Sequence, residues 1–268
     1  MLTARDVRFD RISPVDGNRV IRALHYSRTV VRNSQVHFGA FVGNRCMGAA
    51  SFGPPLDRSK VLGLVRGTPW TGMLELNRLA LSDRLPRNTE SRMLGWMLRW
   101  FRRNAPQVKW VLSFADGTQC GDGTIYRAAG FPLTGIRPSK NLARTTSGRV
   151  IHKLSLEDRP AKARDILGSR SYFDVTGGRY DFRGCAETMG WEILKGFQLR
   201  YIGFVDPSWR SRLAIPEIPY SRIAEVGAGM YRGIKRTKQS IAASGDQPGE
   251  GGAIPTRALH FARVGSSG

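Results

Sequence analysis

The segment Leu74–Leu79, LELNRL, opens the stretch of sequence that decides the fold, and the segment Tyr126–Phe131, YRAAGF, closes it. The first segment predicts a β-strand, because leucines alternate with polar residues. The apolar run before Asp116 predicts a second, buried strand. Between the two strands, residues 89–103 place apolar side chains at helical spacing. Such a strand–helix–strand unit is typical of an α/β domain, in which ligands bind beside strand ends and helix N-termini.

The pattern on both sides of this unit predicts a mixed central sheet flanked by helices. Strands alternate with helices after an initial hairpin over residues 36–52, which is typical of α/β folds. Besides the hairpin, the predicted strands are 7–12, 73–81, 108–114, 133–136 and 150–156, of which 73–81 and 108–114 belong to the opening unit. The predicted helices begin near Ser13, Thr89 and Gly123.

Composition divides the chain into three parts. We expect a catalytic domain over residues 1–156, because the pattern of strands and helices is strongest there. Residues 157–230 carry isolated aromatic segments and are predicted to form a C-terminal elaboration packed on the core. Glycine, serine, lysine, glutamine and proline dominate residues 231–268, which predicts a disordered, partly basic tail.

Charge is the most pronounced global property of the chain. Its 268 residues include 42 Lys and Arg against 21 Asp and Glu, a net charge of +21. Such an excess predicts a polyanionic partner, and we expect double-stranded DNA. A basic surface that only maintains solubility is the alternative.

The sequence predicts a cytoplasmic protein without a membrane partner. No apolar run reaches the roughly 18 residues that a membrane-spanning helix needs. The N-terminal residues are charged and lack the apolar core of a signal peptide. Three scattered cysteines, Cys46, Cys120 and Cys185, are typical of a reducing compartment without a disulfide framework.

Glu75 is the first candidate for acid–base chemistry, because it lies inside an apolar strand. Strand alternation predicts that Asn77 and Leu79 share its face of the sheet, whereas Arg78 points to the opposite face. A carboxylate on a half-buried strand tends toward a raised pKa, which suits a general base. A structural ion pair between Glu75 and an arginine is the alternative.

The start of the long helix is a candidate anion site. Asn88 precedes it, and Ser91 and Arg92 lie in its first turn. A helix N-terminus beside an arginine is suited to a phosphate or pyrophosphate group. We therefore predict that Asn88, Ser91 and Arg92 hold a group donor, with ordinary helix capping as the alternative.

Further candidate catalytic residues lie at the ends of other elements. Asp116 ends a buried strand before a glycine-rich loop, a placement typical of catalytic acids and also of Asx-turns. Tyr126 lies on the short helix that follows, either to protonate a leaving group or to fill the core. His25 and Tyr26 close the first helix, where the helix dipole alone favours a charged histidine.

The segment 137–164 is the strongest local candidate for contact with a phosphate backbone, because it holds eight Lys and Arg against two acidic residues. Predicted substrate contacts are Lys140 and Arg149 in this segment, together with Asn77, Arg78 and Ser113 at the predicted strand ends.

The chain resembles the GNAT acyltransferase fold in its strand order, in the acid on its fourth strand and in the segment Ile125–Phe131, IYRAAGF. The resemblance implies a GNAT-like mixed sheet, a general base on that strand, a general acid at Tyr126 and a pyrophosphate site at the long helix. The family's glycine-rich loop, however, is replaced by Asp83–Asn88. This replacement departs from the family's pattern for binding acetyl-coenzyme A.

A narrower resemblance, over about residues 20–155 and more weakly to about 222, is to the phage Mom family of DNA-modification proteins. It implies a transferase that converts adenine in DNA to a carbamoylmethyl derivative on the exocyclic amine, which protects phage DNA from restriction. The matching pieces are His25–Ser27, Phe38-Gly39, Ser51–Gly53, Glu75–Leu79, Asn88, Ser91-Arg92, Ser113, Ala115-Asp116, Gly123 and Tyr126.

This modification requires chemistry beyond ordinary acyl transfer, because a methylene joins the carbamoyl group to the base nitrogen. The resemblance implies that Glu75, Asp116 and Tyr126 handle protons. It also implies that His25 and Tyr26 line the reaction centre. The donor is predicted to be an acetyl-coenzyme A-like or other small molecule, or the site to hold a metal ion, with His25, Tyr26 and Asp116 as metal candidates. The alternatives are a GNAT-type N-acetyltransferase for a protein or small molecule, and a non-catalytic nucleic-acid-binding protein.

Overall fold

A computed structural model describes residues 2–157, 164–231 and 234–235. The strands in these ranges are β1 Arg8–Arg11, β2 Val36–Val42, β3 Arg45–Gly53, β4 Met73–Leu81, β5 Trp110–Asp116, β6 Leu133–Arg144, β7 Val150–His152, β8 Glu192–Phe204, β9 Met230–Tyr231 and β10 Ile234–Lys235. The helices are α1 Pro14–Leu24, α2 Arg58–Leu62, α3 Thr89–Asn104, α4 Thr124–Ala128, α5 Leu154–Glu157, α6 Arg164–Leu167, α7 Tyr172–Thr176, α8 Phe182–Thr188 and α9 Ser221–Glu225. Most of the predicted tail over residues 231–268 lies outside the described residues.

Eight of these strands form one mixed sheet in the order β1-β2-β3-β4-β5-β8-β6-β7. β4 and β5 run parallel, and the other neighbouring strands of this sheet run antiparallel. The amphipathic helix α3 packs on one face through Met93, Met97 and Phe101. On the other face, α1 contributes Val20 and Ile21 to a smaller apolar cluster. The predicted mixed sheet flanked by helices is confirmed.

The start of helix α1 follows its sequence signals. Ser13 caps α1, because its Oγ accepts a hydrogen bond from the backbone N–H of Asp16 at 3.1 Å. Pro14 occupies the first helical position, where its fixed φ costs nothing.

Among the described residues, no helix combines the length and the apolar character that crossing a membrane requires.

The parallel pair β4 and β5 is bonded only at its beginning. The register pairs Met73 with Trp110 and ends where Glu75 pairs with Leu112. Both strands continue beyond this point, β4 to Leu81 and β5 to Asp116. The sheet therefore contains an interruption between its two central strands, and Glu75 is the last paired residue of β4 before it.

The predicted boundary at residue 156 does not match the sheet. β8 comes from the predicted C-terminal elaboration, yet it lies between β5 and β6 and contributes Leu199 and Tyr201 to the main core. The part of the chain between β7 and β8 is therefore an insertion between two strands of the same sheet. Its own apolar cluster includes Tyr172, Cys185 and Trp191. Sequence alone missed this arrangement because pairing between distant strands leaves no local signal.

Gly123 is the glycine whose substitution we expect to be most costly to the fold. Its φ is +83°, and a Cβ there would overlap the ring of Tyr201. We expect Gly123→Ala to lower the free energy of unfolding by roughly 3 kcal/mol, from left-handed strain plus overpacking. Gly130 is the matched control, because its φ is +79° with nothing within 4 Å of the added Cβ.

For Gly130→Ala we expect a loss of only about 1 kcal/mol. Urea denaturation of both variants measures the difference. Equal losses for the two glycines would show that the contact with Tyr201 contributes nothing.

Candidate active site

A β-bulge in β4 reorganises the predicted site. Phe52 of β3 lies opposite Leu76, but the preceding residue Ser51 lies opposite Arg78. Asn77 is therefore an extra residue without its own partner on β3. Such an insertion turns every later side chain of the strand to the other face of the sheet.

The bulge brings Arg78 to the same face as Glu75. Leu79 packs in the core cluster that α3 covers, so its neighbour Arg78 points away from that core. The predicted alternation, with Leu79 beside Glu75 and Arg78 on the opposite face, was wrong. Period-two alternation fails here because the bulge adds one residue to the strand.

Glu75 has the electrostatic properties of a general base. Burial raises the pKa of its carboxyl to about 7, although nearby Arg78 favours the ionised form. None of the ion pairs in the described part of the chain includes Glu75. The guanidinium of Arg78 instead donates to the carbonyl oxygens of Thr29 at 3.1 Å and Asn77 at 2.7 Å. The alternative of a structural ion pair is therefore not observed among these residues, and the general-base role of Glu75 stays a prediction.

His25 and Tyr26 lie next to this arginine. The ring centroids of His25 and Tyr26 are 4.2 Å apart, and Nδ1 of His25 is 2.8 Å from Oγ of Ser27. Burial, with a contribution from Arg78, lowers the pKa of His25 to about 3. His25 is therefore neutral near pH 7, so a charged histidine stabilised by the helix dipole does not explain its position.

Tyr26 connects this group to the end of β5. Although 49% of the residue is exposed, desolvation by neighbouring side chains raises the pKa of its phenol, and Cys120 and Asp116 act in the same direction. One oxygen of Asp116 accepts hydrogen bonds from the N–H of Thr118 at 2.9 Å and from its hydroxyl. Asp116 is thus an Asx-turn residue, as one of the two interpretations predicted, and it also lies near Tyr26.

Tyr126 lies beneath these residues in the core. Its ring centroid is 5.2 Å from that of Tyr201, and its hydroxyl donates to the carbonyl oxygen of Phe114 at 3.4 Å. Burial raises the pKa of Tyr126, and Cys120, Tyr26 and Glu75 contribute in the same direction. The phenol is therefore protonated at neutral pH. This network connects the five predicted catalytic residues, and we call them the reaction centre for that predicted role: His25, Tyr26, Glu75, Asp116 and Tyr126.

The start of α3 does not offer the predicted anion site in full. Arg92 donates to the carbonyl oxygens of Ala4 at 2.6 Å and Val7 at 2.7 Å, so it ties down the N-terminal segment. Oγ of Ser91 donates to the carbonyl oxygen of Asn88 at 3.2 Å. Burial raises the pKa of the Glu90 carboxyl in the same turn. The side chains of Ser91 and Arg92 therefore already donate hydrogen bonds to carbonyl oxygens within the protein.

The predicted substrate contacts fall in two places. Oδ1 of Asn77 and Oγ of Ser113 are buried, and neither has a hydrogen-bond partner among the described residues. Unsatisfied buried polar atoms are uncommon, and a ligand or water normally explains them. Lys140 is exposed on β6, and Arg149 is exposed in the turn before β7. Both residues are distant from Asn77 in sequence.

Comparison with known proteins identifies the family. The model of the Mom protein family matches residues 6–222. The chain belongs to the Mom protein family. It is 37% identical over 137 residues to methylcarbamoylase mom of Escherichia phage Mu, an alignment that covers 51% of this chain and 56% of that protein. The chain thus matches little more than half the length of this relative.

Solved structures to which this chain is similar are acetyltransferases. A GNAT family acetyltransferase from Elizabethkingia anophelis, with acetyl-CoA bound, is 11% identical, covers 74% of this chain and 98% of its own, and has a TM-score of 0.38. An N-acetyltransferase from Staphylococcus aureus Mu50 is 8% identical, with coverage of 74% and 97% and a TM-score of 0.38. At these TM-scores nothing about activity follows from the likeness.

Sequence reasoning missed a buried ion pair beside the reaction centre. Arg127 donates to Oδ1 of Asp122 at 2.8 Å, and the hydroxyl of Tyr201 donates to the carbonyl oxygen of Asp122. These contacts hold the loop between β5 and α4 against β8. The spacing of Asp122 and Arg127 around a helix start was the available signal, but Tyr201 is distant in sequence.

The metal candidates fit a ligand role in part. Because Nδ1 of His25 accepts a hydrogen bond from the N–H of Ser27 at 3.2 Å, the neutral ring carries its proton on Nε2, which in this tautomer donates and does not bind a metal. Tyr26 interacts electrostatically with Asp116. The described residues contain no group of three His, Cys, Asp or Glu side chains placed to hold a metal. An ion bound here would therefore require the oxygen of Tyr26, and the metal stays a prediction.

Proposed function

We propose that this protein is a DNA-modifying transferase that adds a carbamoylmethyl group to the exocyclic amine of adenine. The observation that supports it most strongly is Glu75, a carboxyl with a pKa of about 7 that shares the reaction centre with Asp116 and a protonated Tyr126. Membership of the Mom protein family supplies the class of reaction.

The arrangement suits a proton transfer coupled to bond formation. The exocyclic amine is a weak nucleophile, and loss of its proton to Glu75 as the new bond forms makes it competent. Its electron pair forms the nitrogen–carbon bond to the methylene of the donor, a carboxamide whose methylene carries a leaving group. The bond to the leaving group breaks, and Tyr126 protonates that group. Neutral His25 and Tyr26 orient the reactants.

Double-stranded DNA in the host cytoplasm is the proposed substrate. A net charge of +21 supplies the attraction to phosphate. Because the target amine lies inside the duplex, the adenine must be extruded before it reaches Glu75. Trp70 is a candidate for stacking on the opened duplex, since its ring is 62% exposed and lies beneath the guanidinium of Arg58.

Mass spectrometry of nucleosides tests this function. Plasmid DNA from cells that express the full chain should yield a deoxyadenosine bearing one added carbamoylmethyl group. Cells that express the Asp116→Ala variant should yield only the ordinary nucleosides. Unmodified DNA from cells with abundant, folded wild-type protein would reject the proposal and leave an N-acetyltransferase or a nucleic-acid-binding protein as the function.

A further inference from the structure

An open part of the sheet adjoins the reaction centre. In the antiparallel ladders, Asp116 of β5 lies opposite Gln198 of β8, and Gln198 lies opposite Arg137 of β6. Residues directly opposite each other in a ladder point to the same face. Asp116, Gln198 and Arg137 therefore form a row across three strands, on one face of the sheet.

The neighbouring row adds a second arginine. Phe114 lies opposite Arg200, and Arg200 lies opposite Gly135. Because Phe114 and Asp116 are two residues apart on β5, both rows lie on the same face. The opposite face carries Ala115, Leu199 and Tyr201 in the core beneath α3.

This face is accessible to a large partner. Arg137 and Gln198 are exposed, while Phe114, Asp116 and Arg200 are half-buried. A groove of about 860 Å³ begins at Thr118 and Gln119, just beyond Asp116, and extends to Arg144 and Lys195. The surface thus continues from the reaction centre along the antiparallel pair of strands β6 and β8.

The two arginines are arranged as an anion site. Arg200 is held in place, because its Nε donates to Oγ1 of Thr134 at 3.1 Å and a terminal nitrogen donates to the carbonyl oxygen of Thr134 at 2.8 Å. Arg137 is its diagonal neighbour, at a Cα separation of about 7–8 Å. Burial and the charge of Arg137 both lower the pKa of Arg200.

The carboxylate of Asp116 is also a diagonal neighbour of Arg200, but it accepts hydrogen bonds from Thr118 and forms no ion pair with either arginine. Among the described residues, neither Arg137 nor Arg200 takes part in an ion pair. Two adjacent guanidinium groups without an ion-pair partner favour an anion that accepts from both, and a phosphate oxygen pair matches the guanidinium fork.

We propose that Arg137 and Arg200 form a phosphodiester site that seats the DNA strand carrying the target adenine. The inference rests on the proposed function and adds a place for the DNA backbone. With strands about 4.8 Å apart, Arg137 lies roughly 10 Å across the sheet from Asp116. This equals about three rises of 3.4 Å along a DNA strand. A phosphate bound here therefore lies within a few nucleotides of a base at Asp116.

The test is the salt dependence of DNA binding by the full-length protein. Fluorescence anisotropy with a labelled duplex measures affinity over a series of salt concentrations. We expect Arg137→Gln to weaken binding about tenfold and to reduce the slope of log K against log salt by about one. Arg137→Lys, which keeps the charge but not the fork, should keep the slope and lose only part of the affinity.

Arg103→Gln is the matched control, because this exposed arginine lies on α3, across the sheet from the proposed site. It makes the same change in charge and should leave the slope unchanged. An equal effect of Arg103→Gln and Arg137→Gln, or no effect of either, would overturn the site.

The outcomes separate the two proposals. If plasmid adenine is modified but Arg137→Gln binds duplex DNA like wild type, the phosphodiester site is wrong and the proposed function stands. If binding depends on Arg137 but plasmid nucleosides stay unmodified, the site stands and the proposed function is wrong. A wild-type protein that binds no duplex DNA would reject both.

Discussion

We expect Asp116→Ala to abolish modification of adenine, with a loss of at least about 100-fold in the yield of modified nucleoside. The carboxylate of Asp116 lies beside Tyr26 and at the edge of the proposed DNA surface. The fold should survive, because Asp116 is only half-buried and lies at the end of its strand. Circular dichroism and thermal unfolding of the purified variant check this expectation.

Asp116→Asn separates the two roles of this residue. The amide oxygen of asparagine can still accept the hydrogen bond from the N–H of Thr118, so the Asx-turn is retained. The negative charge is lost. If the charge matters to the chemistry, the asparagine variant should be as inactive as the alanine variant. Full activity of Asp116→Asn would instead assign Asp116 to the turn alone.

Glu75→Gln should also reduce the modification rate by about 100-fold or more, because glutamine cannot accept the proton of the amine. Since the pKa of Glu75 is about 7, the wild-type rate should rise with pH and level off above about pH 7. A rate measured on duplex DNA with the natural donor present gives this profile. A wild-type profile that is flat between pH 5.5 and pH 8.5 would exclude Glu75 as the general base.

Glu75→Gln should reduce the modification rate, but it should increase stability relative to wild type as the pH rises. The pKa of Glu75 is raised from 4.5 to about 7 on folding, so the native state binds more protons than the unfolded state between these pH values. Wild-type stability should therefore fall as pH rises from about 4.5 to 7, and remain lower above pH 7.

The side chain of glutamine has no carboxyl group that binds and releases this proton. Glu75→Gln should gain stability relative to wild type as the pH is raised from 5 to 8, as measured by urea denaturation at both pH values. Asp10 provides a control, because it is exposed on an edge strand in an ion pair with Arg8. Asp10→Asn should show no gain relative to wild type over this interval. A constant difference between Glu75→Gln and wild type would mean that Glu75 is not buried as an acid.

Local sequence signals predicted a large part of the fold. Ser13 and Pro14 start α1, and the apolar spacing over residues 89–103 matches α3 within one residue. These predictions depend on hydrogen bonds and side-chain spacing within a few residues, so the sequence contains all the information that they need. The candidate residues of the reaction centre were predicted from similar local signals, because they occur at strand and helix ends, and their roles stay predictions.

The sequence by itself therefore determined the α/β class and the family, and it supplied the candidate residues proposed for the reaction centre. Only the tertiary structure decided how they face one another. The bulge at Asn77 turned Arg78 toward Glu75, β8 entered the sheet from a distant part of the chain, and Arg200 came to lie beside Arg137. The physical reason is that strand pairing joins residues far apart in sequence, and its register is set by packing across the whole sheet.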